Sequence, residues 1–395
     1  MKKKVIAGRA GLLLIAAASL TPPALAQTAP ADSPKAESTT TPPAAPPAIF
    51  SIGGFDLTGH VDVGYSRLLG TGKFANGVNS RVFDFDGDKL NLQAIDLQLA
   101  KLPDDGFGGL VDVTIGKDAD TIASYGTIDR NRGPANGVKK RFDATQAYVH
   151  FGAAPLSIIA GKFVTNAGAE YIKSDADTNF SRSILFGYAI PFTHTGVRAT
   201  YKLNDQLTVL GGVNQGWDAF KDTNGSKTLE LGATWTPVEA ASLAGSFYSG
   251  KERVTNYPKS DAQGTRNLID LLASYKLTEQ FTIVANYDYG TQEKGSASGG
   301  QAKWQGIAGY LNYQFNDQWR LSLRGEYFDD KDGYRTGFVQ KWKEATITVA
   351  YLPTKNIEVR GEVRGDRSDH FTFLKASGAR SDTQRSAGLE FLYKF

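Results

Sequence analysis

Apolar and polar residues alternate with a period of two along most of the chain beyond Phe50. After Asn356, for example, Ile357, Val359 and Val363 share one parity. The residues between them are charged: Glu358, Arg360, Glu362 and Arg364. Because successive side chains of a β-strand point to opposite faces, this pattern predicts strands with one apolar and one polar face.

Comparable alternating segments recur along the whole chain. They begin near Phe55, Ile95, Gly108, Ala144, Leu156, Thr195, Leu207, Thr228, Ser242, Asn267, Phe281, Gln305, Trp319, Glu344, Ile357 and Ala387. This predicts about sixteen strands, with a range of roughly 14 to 18, each about ten residues long, the length that a tilted membrane-spanning strand needs. Two places obscure the phase. Leu90 and Leu92 are out of step with Ile95, and the segment from Leu156 to Phe163 can be interpreted in either register.

Short and long connections between these segments also alternate. Short joins occur at residues 103–106, 153–155, 204–205, 237–239, 278–279, 316–317 and 353–356, and longer polar stretches separate them. Short periplasmic turns and long external loops are typical of outer-membrane barrels. The predicted fold is therefore all-β, a transmembrane antiparallel up-and-down β-barrel.

A soluble antiparallel sandwich also alternates, so the apolar face must decide between water and lipid. Aromatic residues cluster near the strand ends on that face, as expected for the interfacial girdles of a membrane barrel. They are Tyr65, Phe151, Tyr201, Trp235, Tyr275, Phe281, Tyr313 and Tyr351. Each outward apolar side chain favours lipid by about 1.5 to 3 kcal/mol. Each charge turned toward lipid would cost about 2 to 4 kcal/mol near the midplane. The bilayer therefore fixes which face points outward.

The two ends of the chain match export to the outer membrane. Residues 1–26 combine basic residues, an apolar run and Ala24-Leu25-Ala26, the order of a secretory signal peptide. Residues 27–48 are rich in Pro and Ala without a hydrophobic period, which predicts a disordered linker. We assign residues 49–395 to the barrel. The last segment alternates up to Phe395 and resembles the terminal signal that the barrel-assembly machinery recognises.

Composition excludes several other classes of function. The chain has no cysteine, so disulfides and thiolate metal sites are excluded. The signal segment contains four basic and no acidic residues, so 40 of the 44 Lys and Arg remain against 41 Asp and Glu, and no nucleic-acid partner is indicated. The four histidines have no metal-binding spacing. We predict no enzyme activity, no catalytic residues, no metal and no cofactor.

Inward positions are expected to carry both signs of charge around a water-filled lumen. The longest connection, from about Thr165 to Pro191, is long enough either to fold inward and narrow the pore or to lie outside as an external loop. The candidate pore-lining or constriction residues are Glu170, Lys173, Asp175, Asp177, Arg182, Arg198, Arg324, Glu326, Glu358, Arg360, Glu362 and Arg364. Their near-balance of charge leaves both cation and anion preference open.

Part of this connection resembles a known family. Residues 179–183 read Asn-Phe-Ser-Arg-Ser, and residues 185–198 run from Leu-Phe-Gly-Tyr to Thr-Gly-Val-Arg. Together with Gly161-Lys162-Phe163 and the segment 57–62, they resemble the β-barrel porin family of Gram-negative bacteria called OmpL-like, of the porin-2 type. The resemblance implies an outer-membrane location and porin-type transport. The family has no well-defined shared substrate, so the resemblance assigns no selectivity residue.

We therefore expect a passive channel for small hydrophilic solutes or ions, surrounded by outer-membrane lipid. A homotrimer is a candidate assembly, because porins of this size commonly form trimers. Two alternatives from other classes stay open: a non-conducting barrel that acts as an adhesin or structural protein, and a barrel enzyme.

Overall fold

The computed structural model describes residues 50–70, 81–84, 86–122, 141–222, 224–254, 262–375 and 377–395. The predicted signal peptide and Pro/Ala-rich linker lie outside the described residues. The structure places a short strand, β1 (Phe50–Ile52), before the barrel. The first eight barrel strands are β2 (Phe55–Leu68), β3 (Leu90–Lys101), β4 (Asp105–Ile115), β5 (Phe142–Ala153), β6 (Leu156–Val164), β7 (Thr193–Lys202), β8 (Leu207–Asn214) and β9 (Thr228–Val238).

The second half of the barrel continues in chain order. Its strands are β10 (Ala241–Arg253), β11 (Gln263–Thr278), β12 (Phe281–Gln292), β13 (Ala302–Asn316), β14 (Trp319–Asp330), β15 (Gln340–Thr354), β16 (Ile357–Ser368) and β19 (Thr383–Lys394). A small hairpin of β17 (Phe373–Leu374) and β18 (Arg380–Ser381) precedes the last strand. The described helical elements are α1 (Lys117–Ile122), a 3₁₀ turn (Ser174–Ala176) and a π-helical turn (Leu185–Ala189). None of the helices in the described ranges is long and apolar enough to cross a membrane.

Sixteen of the described strands close into an antiparallel barrel, because β19 pairs with both β16 and β2. The predicted strand number and fold are confirmed. At the seam, the backbone N–H of Gly59 donates to the Phe395 carbonyl over 2.8 Å, and the Phe395 N–H donates back over 2.9 Å. The short connections, such as residues 154–155 and 355–356, all lie at this end of the barrel. The long ones lie at the other end, which is the arrangement of an outer-membrane barrel.

The two faces of the wall differ in the predicted way. On β15 and β16, Ile347 and Val363 are each 54% exposed on the outer face, whereas Arg360 and Glu362, which point inward, are buried. The aromatic side chains of Tyr201, Trp235 and Tyr275 are exposed on the outer face near the short turns. This apolar outer surface is the one that lipid covers.

A β-bulge explains the first irregularity in the alternation. Asp62 pairs with Ala94 and Val63 pairs with Leu92, so Gln93 is the extra residue on β3. Gln93 and Ala94 are both buried, and the leucines on either side of them therefore all face outward. A bulge adds one residue to a strand and so shifts the phase of its pattern.

The second irregularity is resolved on β6, where apolar residues lie on both faces. Ile159 and Phe163 are buried inside the barrel, while Ile158 and Ala160 lie on the outer face and are less buried. Lys162 is also buried, and its ammonium group lies 2.8 Å from the Asp143 carboxylate. Because neither face of β6 is wholly polar, the sequence pattern alone allows both registers.

Candidate constriction site

The long connection between β6 and β7, residues 165–192, lies inside the barrel, and we call it the inner loop. Its tip reaches the opposite wall, where it contacts β14, β15, β16 and β19. The backbone N–H groups of Phe180 and Ser181 donate to the Glu362 carboxylate over 2.8 and 3.1 Å. Those of Ile184 and Leu185 donate to Glu326 over 2.8 and 3.2 Å. The loop has almost no regular secondary structure, so wall carboxylates take the place of backbone acceptors.

Arginines of the same wall bind the carbonyl groups of the inner loop. Arg360 donates to the Asp177 carbonyl over 2.6 Å and to the Ser174 carbonyl over 3.0 Å. Arg364 donates to the Arg182 carbonyl over 2.7 Å. The wall thus supplies acceptors for the N–H groups of the loop backbone and donors for its carbonyl groups. Hydrogen bonds from charged groups are stronger than those between neutral groups, so these contacts bind the loop firmly.

Ion pairs join these charged residues to one another. Arg324 contacts Glu170 over 2.7 Å and Glu344 over 3.1 Å, which links β14, β15 and the loop. Arg360 contacts Glu358 over 2.6 Å and Glu390 over 2.8 Å. A buried charge is tolerated when it is paired and hydrogen-bonded, and this network meets both conditions.

Most of the sequence-predicted candidates therefore lie in a buried network that holds the inner loop. They are Glu170, Asp177, Arg182, Arg324, Glu326, Glu358, Arg360, Glu362 and Arg364. Arg198 is also buried, at the root of the loop, where it pairs with Glu230 over 2.6 Å and donates to the Val164 carbonyl. A role in lining an open pore stays a prediction for these residues.

Lys173 and Asp175 differ from the other candidates because their side chains remain 24% and 30% exposed. The ammonium group of Lys173 lies 2.8 Å from the Asp96 carboxylate and 3.5 Å from that of Asp112. It also donates to the Gln98 side chain over 2.8 Å. Asp175 lies 3.4 Å from the His60 ring.

Both exposed groups keep their charge at neutral pH. Burial favours neutral Lys173, but the Asp112, Asp96 and Asp175 carboxylates outweigh it and raise the pKa of Lys173 above its ordinary value. Burial likewise opposes the charge of Asp175, but His60, Lys173 and other cations outweigh it and lower its pKa. The exposed part of the site therefore carries one positive and one negative charge.

An apolar cluster inside the barrel is the feature that sequence reasoning missed. Trp304, Tyr310, Phe328 and Trp342 point inward from β13, β14 and β15, and all four are buried. They belong to one cluster with loop residues that include Ile184, Leu185, Phe186 and Ile190. The sequence signal was the lack of charged or amide side chains on the inward parity of β13, which reads Trp304, Gly306, Ala308 and Tyr310.

Glycines on the inner wall form sockets for loop side chains. A Cβ atom on Gly64 or on Gly388 would lie 2.7 Å from the ring of Phe180. One on Gly306 would lie 2.7 Å from Leu185. Gly64 and Gly388 lie on β2 and β19, so the loop tip docks at the seam where the barrel closes.

The inner face of β7, β8 and β9 is less covered. Arg198, Gly212 and Glu230 are directly paired neighbours on that face. The inward positions two and four residues from them, toward the short turns, include five uncharged residues that are only partly buried: Thr200, Thr208, Leu210, Gly232 and Thr234. The sixth position is Lys202, which is charged and exposed and lies directly opposite Thr208.

A closed barrel with an apolar outer belt and a long loop bound inside its lumen defines the porin class of outer-membrane proteins. The chain belongs to the family described as "Putative beta-barrel porin-2, OmpL-like", whose model matches residues 54–395. It is an outer-membrane porin by family and fold, and both point to a channel rather than an enzyme. No curated protein sequence matches the chain.

Several solved structures share the fold at low sequence identity. The outer membrane channel DcaP of Acinetobacter baumannii is 17% identical, with a TM-score of 0.57 over 88% of this chain and 100% of that one. Outer-membrane expressed OmpT of Vibrio cholerae is 12% identical, with a TM-score of 0.57 over 88% and 100%. An anion-selective porin from Comamonas acidovorans is 11% identical, with a TM-score of 0.57 over 86% and 99%.

Proposed function

We propose that this porin lets small hydrophilic solutes and ions diffuse passively across the outer membrane, along a passage between the inner loop and the inner face of β7–β9. The observation that carries the proposal is the partial exposure of Thr200, Thr208 and Thr234 on that face. Hydroxyl groups of this kind can solvate a passing solute without binding it tightly, which a passive channel requires.

Lys173 and Asp175 are the partly exposed charges of the inner loop, and they lie against β2, β3 and β4. We infer that a solute meets them where the passage reaches those strands. They present opposite charges, so a dipolar solute would be oriented between them. Among the ion pairs of the described residues, Lys173 is the only cation paired with Asp96 and with Asp112. Its removal would therefore leave these two carboxylates without a paired positive charge.

Single-channel recording in a planar bilayer tests this function. The purified protein should give stepwise conductance, and Lys173→Met should shift the reversal potential in a KCl gradient toward cation selectivity. The matched control is Lys355→Met in an exposed periplasmic turn, which removes the same charge far from the loop. A folded, heat-modifiable barrel that conducts no current would contradict the proposal.

Assembly and export form a second part of the proposal. A solved structure of Vibrio cholerae OmpT, 12% identical with a TM-score of 0.58, is described as a trimer form, which supports a homotrimer here. We further propose export by the signal peptide of residues 1–26, and recognition of Phe395 by the barrel-assembly machinery. Native mass spectrometry of protein extracted in mild detergent would give both the number of chains and the mass of the processed chain.

A further inference from the structure

On each of four neighbouring strands, a basic residue lies on the outer face where the apolar row of side chains ends, near the long loops. Among the outward residues of β2, Arg67 comes next after Tyr65. Among those of β19, Arg385 comes directly before Ala387. On β16 and β15 the corresponding residues are Arg367 and Lys343. All four residues are exposed, and we call Arg67, Arg385, Arg367 and Lys343 the basic rim.

The strand register makes the basic rim continuous. Arg67 pairs with Ala387 and Arg385 pairs with Gly365, so Arg67, Arg385 and Arg367 are successive diagonal neighbours. Arg367 lies directly opposite Lys343. Direct neighbours in a sheet lie about 5 Å apart and diagonal ones about 7 to 8 Å apart, so one anionic headgroup can contact several members.

Little in the described part of the chain neutralises these charges. Arg67 lies 3.8 Å from Asp88, and both side chains are exposed, which makes that pair weak. Arg385, Arg367 and Lys343 form no ion pair within the described ranges. Two like charges placed directly opposite each other destabilise a sheet, so the Arg367–Lys343 pair favours an external anion. Lys341 is left out of the rim because Asp329 and Asp369 accompany it.

The adjacent strands β3, β4 and β5 do not continue the rim. At their long-loop ends, the outward residues Leu92, Ile115 and Phe142 are apolar and exposed. Lys251 on β10 and Lys303 on β13 are also outward and exposed at this end, but β11 and β12 separate them, so the basic rim is distinguished by its continuity over four neighbouring strands.

We propose that the basic rim binds the phosphorylated headgroup of the glycolipid in the outer leaflet. The long-loop end of an outer-membrane barrel faces that leaflet, and the rim lies where the apolar belt ends, at headgroup depth. Guanidinium groups bind phosphate through two parallel hydrogen bonds, which suits Arg67, Arg385 and Arg367 to this ligand.

The test compares lipid binding by wild-type protein and by an Arg367→Gln, Arg385→Gln, Lys343→Gln triple variant. Both are reconstituted in phosphatidylcholine nanodiscs with EDTA, and lipid A with both phosphates is titrated against dephosphorylated lipid A with the same acyl chains. The control variant carries Lys202→Gln, Lys276→Gln and Lys355→Gln, which removes three charges at the short-turn end. The three rim residues lie on the outer face of the wall, and heat-modifiability on gels checks the fold of each variant.

Wild-type and control proteins should prefer phosphorylated lipid A at least about tenfold, and the triple variant should lose that preference. Equal binding by the triple variant would overturn the proposal. Displacement of the bound lipid by millimolar inorganic phosphate would also overturn it, because the rim would then hold free phosphate rather than a headgroup.

Discussion

The inner faces of β14–β16 and of β7–β9 belong to one barrel, yet they have different surroundings. On β15 every inward residue from Gln340 to Leu352 is buried and every outward one before Leu352 is exposed. On β8 the residues from Leu207 to Gly212 are all intermediate in burial, on both faces. The inner loop accounts for the difference, because its tip covers β14–β16 and leaves β7–β9 partly open.

The comparison separates the charges inside the barrel into two groups, those of the wall that bind the inner loop and those of the loop that remain partly exposed. Glu326, Glu362 and Arg360 bind the backbone of the inner loop and are therefore not free to meet solute. Lys173 and Asp175 belong to the loop itself and remain partly exposed. A row of charges on an inward face can thus fix the width of a pore without lining it.

Removing the inner loop should have the largest effect on this comparison. Replacement of residues 167–190 by a short Gly-Ser linker should raise single-channel conductance severalfold, because both walls would then face water. The control shortens another long connection, residues 295–300, and should leave conductance close to wild type. Unchanged conductance without the inner loop would show that the loop does not set the pore width.

Filling the glycine sockets should have a smaller effect. Gly64→Ala or Gly388→Ala places a Cβ atom against the ring of Phe180, which costs about 1 to 3 kcal/mol of stability and pushes the loop toward the lumen. Conductance should fall, and the urea midpoint of unfolding should decrease. Gly361→Ala is the matched control, since a Cβ atom there would meet open space on the outer face. Equal behaviour of all three variants would rule out a socket.

Weakening one loop contact should give the smallest effect. Glu362→Gln keeps the shape of the side chain but removes the charge that accepts from Phe180 and Ser181, at a cost of about 1 to 2 kcal/mol. Open-channel current noise should increase, and the free energy of unfolding should decrease by that amount. Glu239→Gln in an exposed periplasmic turn should change neither quantity.

The alternation of apolar and polar residues predicted the outward face of the barrel wall well, and the reason is physical. Lipid favours apolar residues at outward positions between the two headgroup regions, so residues such as Ile347 and Val363 recur at every second position, and the strand number follows. The alternating lengths of the connections separately predicted that the short turns and the long loops lie at opposite ends. A bulge such as that at Gln93 shifts the phase because it adds a residue without changing the face that lipid requires.

Alternation could not predict what the inward face touches. An inward Thr348 contacts Glu362 and Asn179, whereas an inward Thr234 is partly exposed, yet both obey the same pattern. The apolar inward residues Trp304 and Trp342 were missed for a related reason, because their partners come from a loop distant in sequence. The length of the connection between β6 and β7 allowed it to fold into the barrel or to lie outside. The wall residues that bind it hold it inside.

Cysteine accessibility tests most directly whether the passage follows β7–β9. The chain contains no cysteine, so Thr234→Cys and Thr348→Cys each introduce a single reporter on an inward position. A membrane-impermeant, negatively charged methanethiosulfonate reagent is added while single-channel current is recorded. The current should drop when Cys replaces Thr234 and stay unchanged when Cys replaces Thr348. Reaction at position 348 with none at position 234 would place the passage on the opposite wall and contradict this account.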